Sequence, residues 1–212
     1  DIAESEKFYV EKINILGNNI TREDVIRNNL LIDEGDAFNE LLQAKTLNNL
    51  KALNFFSNVE ADIIDSPDAN KNIINITVEE KPTGEIMAGA GVGTAGGTVA
   101  FGVSENNFLG RGIEFSSDVS LSAEALKGIV SLNNPNYKGS NRSLNASLES
   151  TITDRLKNFG YKSSKTGFTI GSGFEFYDDL YWNTGISSYI EKLDTEATAS
   201  ASMKKQDGSY FD

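Results

Sequence analysis

The 212 residues include neither cysteine nor histidine. Without Cys there is no disulfide framework, no thiolate metal site and no thiol nucleophile. The missing His removes the usual general base, the Ser–His relay and the commonest metal ligand together. Proline is scarce, and no run approaches the roughly 18 apolar residues that a membrane-spanning helix requires. A spanning β-strand stays open, because it needs only about 9–11 residues and alternates apolar with polar. The mean hydropathy of -0.32 is blind to such strands. Positive charge is also in deficit. Lys+Arg 19 against Asp+Glu 31 gives a net charge of -12, so no nucleic-acid partner is expected. The chain opens Asp1-Ile2-Ala3-Glu4 with no charged and apolar leader, which reads as a start inside a longer protein.

Two textures meet near Pro82 and divide the chain into residues 1–82 and 83–212. In the first, Ile13 and Ile15 alternate with Lys12 and Asn14, the period of a half-buried strand. Gly17-Asn18-Asn19 supplies a turn, and Thr21 with Asp24 reads as an N-cap and capping-box acid opening a helix through Ile26 and Leu30. A second helix is expected from about Asn39 to Leu53, with Leu47, Leu50 and Leu53 on one face. Two further strands follow, carried by Val59, Ala61 and Ile63 and then by Ile74, Ile76 and Val78, with Ser66-Pro67-Asp68-Ala69-Asn70 as the turn. The order β-α-α-β-β predicts a small α+β domain with two helices on one face of a three-stranded sheet.

The second part obeys period two throughout. Ile113, Phe115, Val119 and Leu121 oppose Glu114, Ser116, Asp118 and Ser120; Phe168, Ile170, Phe174 and Phe176 oppose Thr169, Gly171, Gly173 and Glu175. About eight antiparallel strands are expected, near 84–94, 97–107, 112–122, 125–134, 142–153, 165–176, 181–191 and 196–205, suiting a sandwich or a membrane barrel alike. Aromatics favour the barrel. Phe108, Tyr137, Phe176, Tyr177, Tyr181, Trp182, Tyr210 and Phe211 fall in alternate connections, at the end where the first strand begins, as a periplasmic aromatic girdle at headgroup depth requires. A spanning sheet must close on itself in hydrocarbon, so the strands either form a small eight-stranded barrel or continue into further sequence.

Candidate chemistry is thin. Gly91-Val92-Gly93-Thr94-Ala95-Gly96 has the spacing of a dinucleotide-binding loop, but a strand rather than a helix follows it, so no cofactor is expected. Gly89, Gly91 and Gly93 instead fall on one face of a strand and leave its pairing weak. Asp178-Asp179 and the Asp62/Asp65 pair read as solvated charge, not as acid–base or metal sites. Asn145-Ala146-Ser147 fits a glycosylation sequon inside an expected strand and is set aside. No nucleophile, base and oxyanion donor can be assembled, so no enzyme activity is expected.

Several stretches add a resemblance to this reading. Ile13–Asn18, the segment Ile32-Asp33-Glu34-Gly35-Asp36-Ala37-Phe38 and Leu50–Ile63 together resemble a POTRA domain, in particular the last before a barrel. Gly84–Gly93, Asn106-Asn107-Phe108-Leu109-Gly110-Arg111-Gly112 and Leu132-Asn133-Asn134-Pro135 resemble the opening barrel strands of the BamA family, central subunits of the bacterial outer-membrane β-barrel assembly machinery. The resemblance implies a POTRA domain in the periplasm and half of a sixteen-stranded barrel in the outer membrane. It also implies folding and insertion of nascent outer-membrane proteins, with accessory lipoproteins and outer-membrane lipid as partners. The first strand would be the seam that templates substrate strands; here it comprises Glu85, Ile86, Met87, Ala88, Gly89, Ala90, Gly91, Val92, Gly93 and Thr94. Glu34 matches the acidic residue through which the last POTRA domain contacts a lipoprotein. The strand Asn58, Val59, Glu60, Ala61, Asp62, Ile63 and Ile64 is expected at the edge of the POTRA sheet, where extended peptides can add. A sister translocation or secretion transporter and a closed eight-stranded barrel remain alternatives.

Overall fold

The computed structural model describes residues 7–93, 96–177 and 180–211. The chain divides into two units. The first runs through Thr83 and recruits Leu109–Gly112; the second comprises Gly84–Phe108 and the residues from Ile113 onward.

In the first unit β1 (Tyr9–Leu16), α1 (Glu23–Arg27), α2 (Glu40–Ala52), β2 (Phe56–Asp65) and β3 (Lys71–Glu80) follow in order. The sheet order is β1-β3-β2, with β1 parallel and β2 antiparallel to β3. Central β3 alternates because one face is covered: Ile74, Ile76 and Val78 are buried against Val10 and Ile13 of β1, Phe56 and Val59 of β2, and the helical Ile26 and Leu50. Complete burial of a side chain such as Leu50 stabilises by about 2–3 kcal/mol. The Thr46 hydroxyl, buried among these residues, accepts the Leu31 N–H (2.9 Å), so its polar atom costs nothing unmade. Helix α2 begins as expected, since the Asn39 side chain accepts from Leu41 N and Leu42 N. Helix α1 differs. It is one short turn with Arg22 as its N-cap residue, and Thr21 does not cap it. The Thr21 N–H instead donates to Glu80 (2.6 Å), which draws the residue into the loop before the helix, and Leu30 lies beyond the helix end.

The second unit is one antiparallel sheet in sequence order, from edge to edge β4 (Gly84–Gly93), β5 (Gly96–Phe108), β6 (Ile113–Ser122), β7 (Ala125–Asn134), β8 (Arg142–Arg155), β9 (Tyr161–Tyr177), β10 (Leu180–Thr195) and β11 (Gly208–Phe211). Register lines up one apolar face, with Ala88, Phe101 and Val119 in one row and Ile86, Val103 and Val130 among their neighbours. The other face carries Gly102, Asp118, Lys127, Glu149 and Thr169. Burial is inverted relative to the first unit. Of the thirteen buried apolar residues among those described, only Leu193 and Ala199 belong to this sheet and its loops, while Val92 (95%) and Ile186 (74%) are exposed. An apolar face left uncovered along seven strands is what a hydrocarbon-facing surface requires.

One strand expectation fails. Residues 196–205 form a connection containing α4 (Ala201–Lys204), and the eighth strand begins only at Gly208. The run Thr-Ala-Ser-Ala-Ser alternates like a strand, but Ser200 accepts the Met203 N–H and starts a helical turn instead.

Candidate functional site: two open strand edges

Strand β4 sits at the end of its sheet and pairs on one side only, from Gly84 opposite Glu105 to Gly93 opposite Gly96. Every one of its residues is exposed. One face presents Ile86, Ala88, Ala90 and Val92; the other presents Met87, Gly89, Gly91 and Gly93. A Cβ built on Gly89, Gly91 or Gly93 would meet nothing within 4 Å, so these glycines answer no crowding. Their effect is to strip the inner face of side chains and leave the backbone unshielded. A shallow open recess lies beside them, lined by Met87, Gly102, Asp118, Lys127 and Ile129 among others. Thr94, the last residue assigned to this edge, lies outside the described residues, as do Asp178 and Asp179.

The first unit has two sheet edges of opposite character. The outer side of β1 is occupied. Gly35 N donates to Val10 O (2.7 Å), Val10 N to Asp36 O (2.9 Å) and Phe38 N to Phe8 O (2.8 Å). Two side chains extend this cover. Glu34 Oε1 accepts the Ile13 N–H (3.0 Å) and Arg27 Nη2 donates to Ile13 O (3.0 Å), so a carboxylate and a guanidinium stand in for a neighbouring strand. Arg27 Nη1 lies 3.7 Å from the same Glu34 oxygen. The outer side of β2, which contains Asn58–Ile64, has no strand beside it among the described residues. Ile63 and Ile64 are large apolar residues exposed on that strand.

Sequence reasoning missed Glu80. Its carboxylate accepts the backbone N–H groups of Asn19 (2.8 Å), Ile20 (2.9 Å) and Thr21 (2.6 Å). Partial burial pushes this carboxyl up, but the hydrogen bonds from the Thr21 side chain and from the three backbone amides outweigh burial and hold it below the usual glutamate range. The loop so fixed receives the turn Leu109–Gly112. Arg22 N donates to Gly110 O (2.8 Å), and a Cβ on Gly110 would run into the Ile20 carbonyl. Nothing in the local pattern of Glu79-Glu80-Lys81 signals this role; the Gly-Arg-Gly run did mark the turn.

Six of the eight girdle aromatics lie at the end of the second sheet where β4 begins: Phe108 closes β5, Tyr137 follows β7, Phe176 and Tyr177 end β9, and Tyr181 and Trp182 begin β10. Tyr210 and Phe211 do not join them. They pair with Glu191 and Ile190, roughly 30 Å along β10 from Tyr181 and Trp182 at about 3.3 Å per residue, because the last connection lies at the opposite end. Among the described residues no cluster of three or more His, Cys, Asp and Glu could hold a metal ion.

Comparison with known proteins adds to this geometry. Residues 8–81 match the sequence profile of the POTRA family, described as a surface antigen variable number repeat. The putative outer membrane protein assembly factor of Treponema pallidum is 34% identical over 135 residues, covering 58% of this chain and 16% of that protein. The outer membrane protein assembly factor BamA of Neisseria meningitidis serogroup B is 30% identical over 177 residues, covering 81% of this chain and 22% of its own. Among solved structures, BamA from Haemophilus ducreyi lacking POTRA domains 1-3 superposes with a TM-score of 0.80 at 22% identity, over 90% of this chain and 37% of that one. Over most of its length this chain is similar to BamA proteins, and residues 8–81 match the POTRA family. It spans between 16% and 28% of the length of the curated relatives it matches. Its first unit has the POTRA fold, and β4–β11 match the fold of half of the BamA barrel. CdiB from Escherichia coli shares the fold more distantly, with a TM-score of 0.54 at 11% identity over 88% of this chain and 41% of that one.

Proposed function

We propose that this chain serves the folding and insertion of β-barrel proteins into the bacterial outer membrane, with β4 as the strand that templates incoming substrate. The observation that carries this reading is the β4 edge itself: fully exposed, paired on one side, apolar on one face and glycine-bare on the other. Main-chain hydrogen bonds at such an edge bind a strand with little regard to its side chains, which suits many unrelated substrates. The uncovered apolar face supports placement in outer-membrane lipid, with the POTRA domain in the periplasm and Phe108, Tyr137, Phe176, Tyr177, Tyr181 and Trp182 as the girdle on that side. No catalytic residue, cofactor or metal is assigned.

A cysteine crosslinking scan along Glu85–Gly93 in the full-length protein tests the template. Arrested substrate is expected at alternate positions, and a scan that captures none removes the seam from the proposal. The β2 edge is proposed as a second, weaker site for extended segments; chemical-shift mapping with barrel-derived peptides tests it, and an unperturbed Asn58–Ile64 ends the idea. Glu34 is proposed to contact an accessory lipoprotein. Its Oε1 is committed to Ile13 and Arg27, so the partner's cation would address Oε2. A dedicated transporter shares this fold. Depletion of the full-length protein followed by outer-membrane proteomics separates the two: many barrels fall together under the assembly reading, and a single secreted protein falls under the other.

A further inference from the structure

We propose that the open edge of β2 selects extended segments whose residues on the solvent side are basic, so that the POTRA domain sorts strands by charge as well as by backbone pairing. This rests on the reading of β2 as a strand-docking edge and names the chemistry of what docks there.

The β1 edge is filled by Gly35–Phe38 and by the Glu34 and Arg27 side chains, whereas β2 has no neighbouring strand beyond it among the described residues. Alternation then divides the side chains of β2. Val59 is buried and Ala61 half-buried on the helix side, while Glu60 and Asp62 are both exposed towards solvent, two residues apart. In register Glu60 stands beside Thr77 and Asp62 beside Asn75 of β3, and one strand further on lie Leu16 and Asn14 of β1. No cation occurs along either row. The Asn75 amide oxygen is already taken by Asn14 (2.8 Å), Glu60 accepts from the Asn58 side chain (2.9 Å) and has no cation partner among the described residues, and Asp62 has no side-chain partner among them. The nearby Lys71 is held by Asp68 at 2.8 Å. Two carboxylates on one face of an edge strand are thus uncompensated from within their own sheet.

A strand added at that edge would place its residues directly opposite them, about 4.5–5.5 Å away between Cβ atoms. Lys or Arg there closes the missing ion pairs, and Asp or Glu meets like charge. On the helix side the incoming strand meets Ala61 and Ile63, and at the far end of the solvent side it meets Ile64, the two isoleucines being 44% and 51% exposed. The segment that fits is therefore apolar at alternate positions and basic between them. Edge carboxylates also guard strands against aggregation, and that role alone gives no preference for cationic over anionic strands beyond a general rejection of both.

The test uses the full-length protein in zwitterionic nanodiscs with a photoreactive phenylalanine analogue replacing Ile64. The probes are two ten-residue peptides built on the apolar positions of residues 113–122, with the positions of Glu114, Ser116, Asp118 and Ser120 all Lys in one and all Glu in the other. The Lys peptide is expected to crosslink at about ten-fold lower concentration, the combined effect of two exposed ion pairs gained and two repulsions avoided. The difference should shrink in about 0.5 M salt, and Glu60→Gln with Asp62→Asn should remove most of it. Equal capture of both peptides overturns charge selection and leaves the docking edge standing. Capture of neither overturns the docking edge as well.

Discussion

Glu80 offers the sharpest perturbation in the POTRA domain. Its carboxylate holds three consecutive backbone N–H groups, at 2.6–2.9 Å, in the loop that leads from β1 to α1. Glu80→Ala removes both acceptor oxygens and with them all three bonds. A charge-assisted hydrogen bond contributes about 1.5–3 kcal/mol when its donor is buried. Asn19 and Ile20 are exposed, so water replaces much of what they lose; Thr21 is buried and has no such substitute. A local cost of about 2 kcal/mol is therefore expected, which converts to roughly a 30-fold rise in the opening of this loop. Hydrogen exchange in the full-length protein should show the Asn19–Thr21 amides exchanging faster by that factor, with β3 amides around Ile76 little changed. Protonation should act in the same direction. The folded carboxyl titrates below the ordinary glutamate value, so its contribution is complete above that value and is lost as pH falls through the lowered folded value. Loop exchange, corrected for the intrinsic rate, should then rise in the wild type below about pH 4.5 and stay flat in Glu80→Ala. Unchanged exchange in the variant would mean that solvent satisfies these amides equally well, and the reasoning would fail.

Other substitutions probe the rest of the architecture. Gly17 has φ +89°, and a Cβ there would strike the Val78 carbonyl, so Gly17→Ala should destabilise the POTRA domain by about 3 kcal/mol, seen as faster exchange across β1 and β3. Asn39→Ala leaves Leu41 N and Leu42 N without their cap and should cost about 1 kcal/mol, measured as fraying of α2. In the barrel, a Cβ on Gly167 would collide with both the Tyr189 ring and the Ser188 carbonyl, so Gly167→Ala should lower the yield of folded, heat-modifiable protein, and adding Tyr189→Ala should restore it only in part, because the backbone clash remains. Gly89→Val with Gly91→Val meets open space, so it should fold normally while slowing substrate assembly if β4 is the template; unchanged assembly would count against that role.

How much of this was legible depended on whether the deciding contact was local. Ile74, Ile76 and Val78 announce a strand because alternation and burial are the same fact, and β3 lies where that pattern puts it. Asn39 was readable as a helix start for a similar reason, since its hydrogen bonds span only two and three residues. Thr21 looked equally good as a cap and is not one, because Glu80, 59 residues away, takes its N–H. The alternation of Thr198-Ala199-Ser200-Ala201-Ser202 misled for the opposite reason: small residues tolerate either conformation, and Ala199 packs with Gly160 rather than in a ladder. That misreading carried Tyr210 and Phe211 to the wrong end of the sheet, since one misplaced strand reverses every connection after it.

The two edges differ in a way that follows from what surrounds them. In water an unpaired strand edge costs little, because solvent satisfies the free N–H and C=O groups, and the hazard is unwanted pairing. The POTRA sheet answers it on β1 with main chain plus the Glu34 and Arg27 side chains, and on β2 with carboxylates. In hydrocarbon the balance is reversed. Each unpaired group costs several kcal/mol, so an edge such as β4 is driven to pair. Glycine at 89, 91 and 93 limits how strongly any one partner is held, since side-chain contacts across the pair are missing on that face. A strand that must pair but holds no partner tightly through its side chains can exchange one partner for another. On the proposed template role, that property of β4 is what would set it apart from a wall strand such as β6, whose Phe115, Val119 and Leu121 find neighbours on both sides.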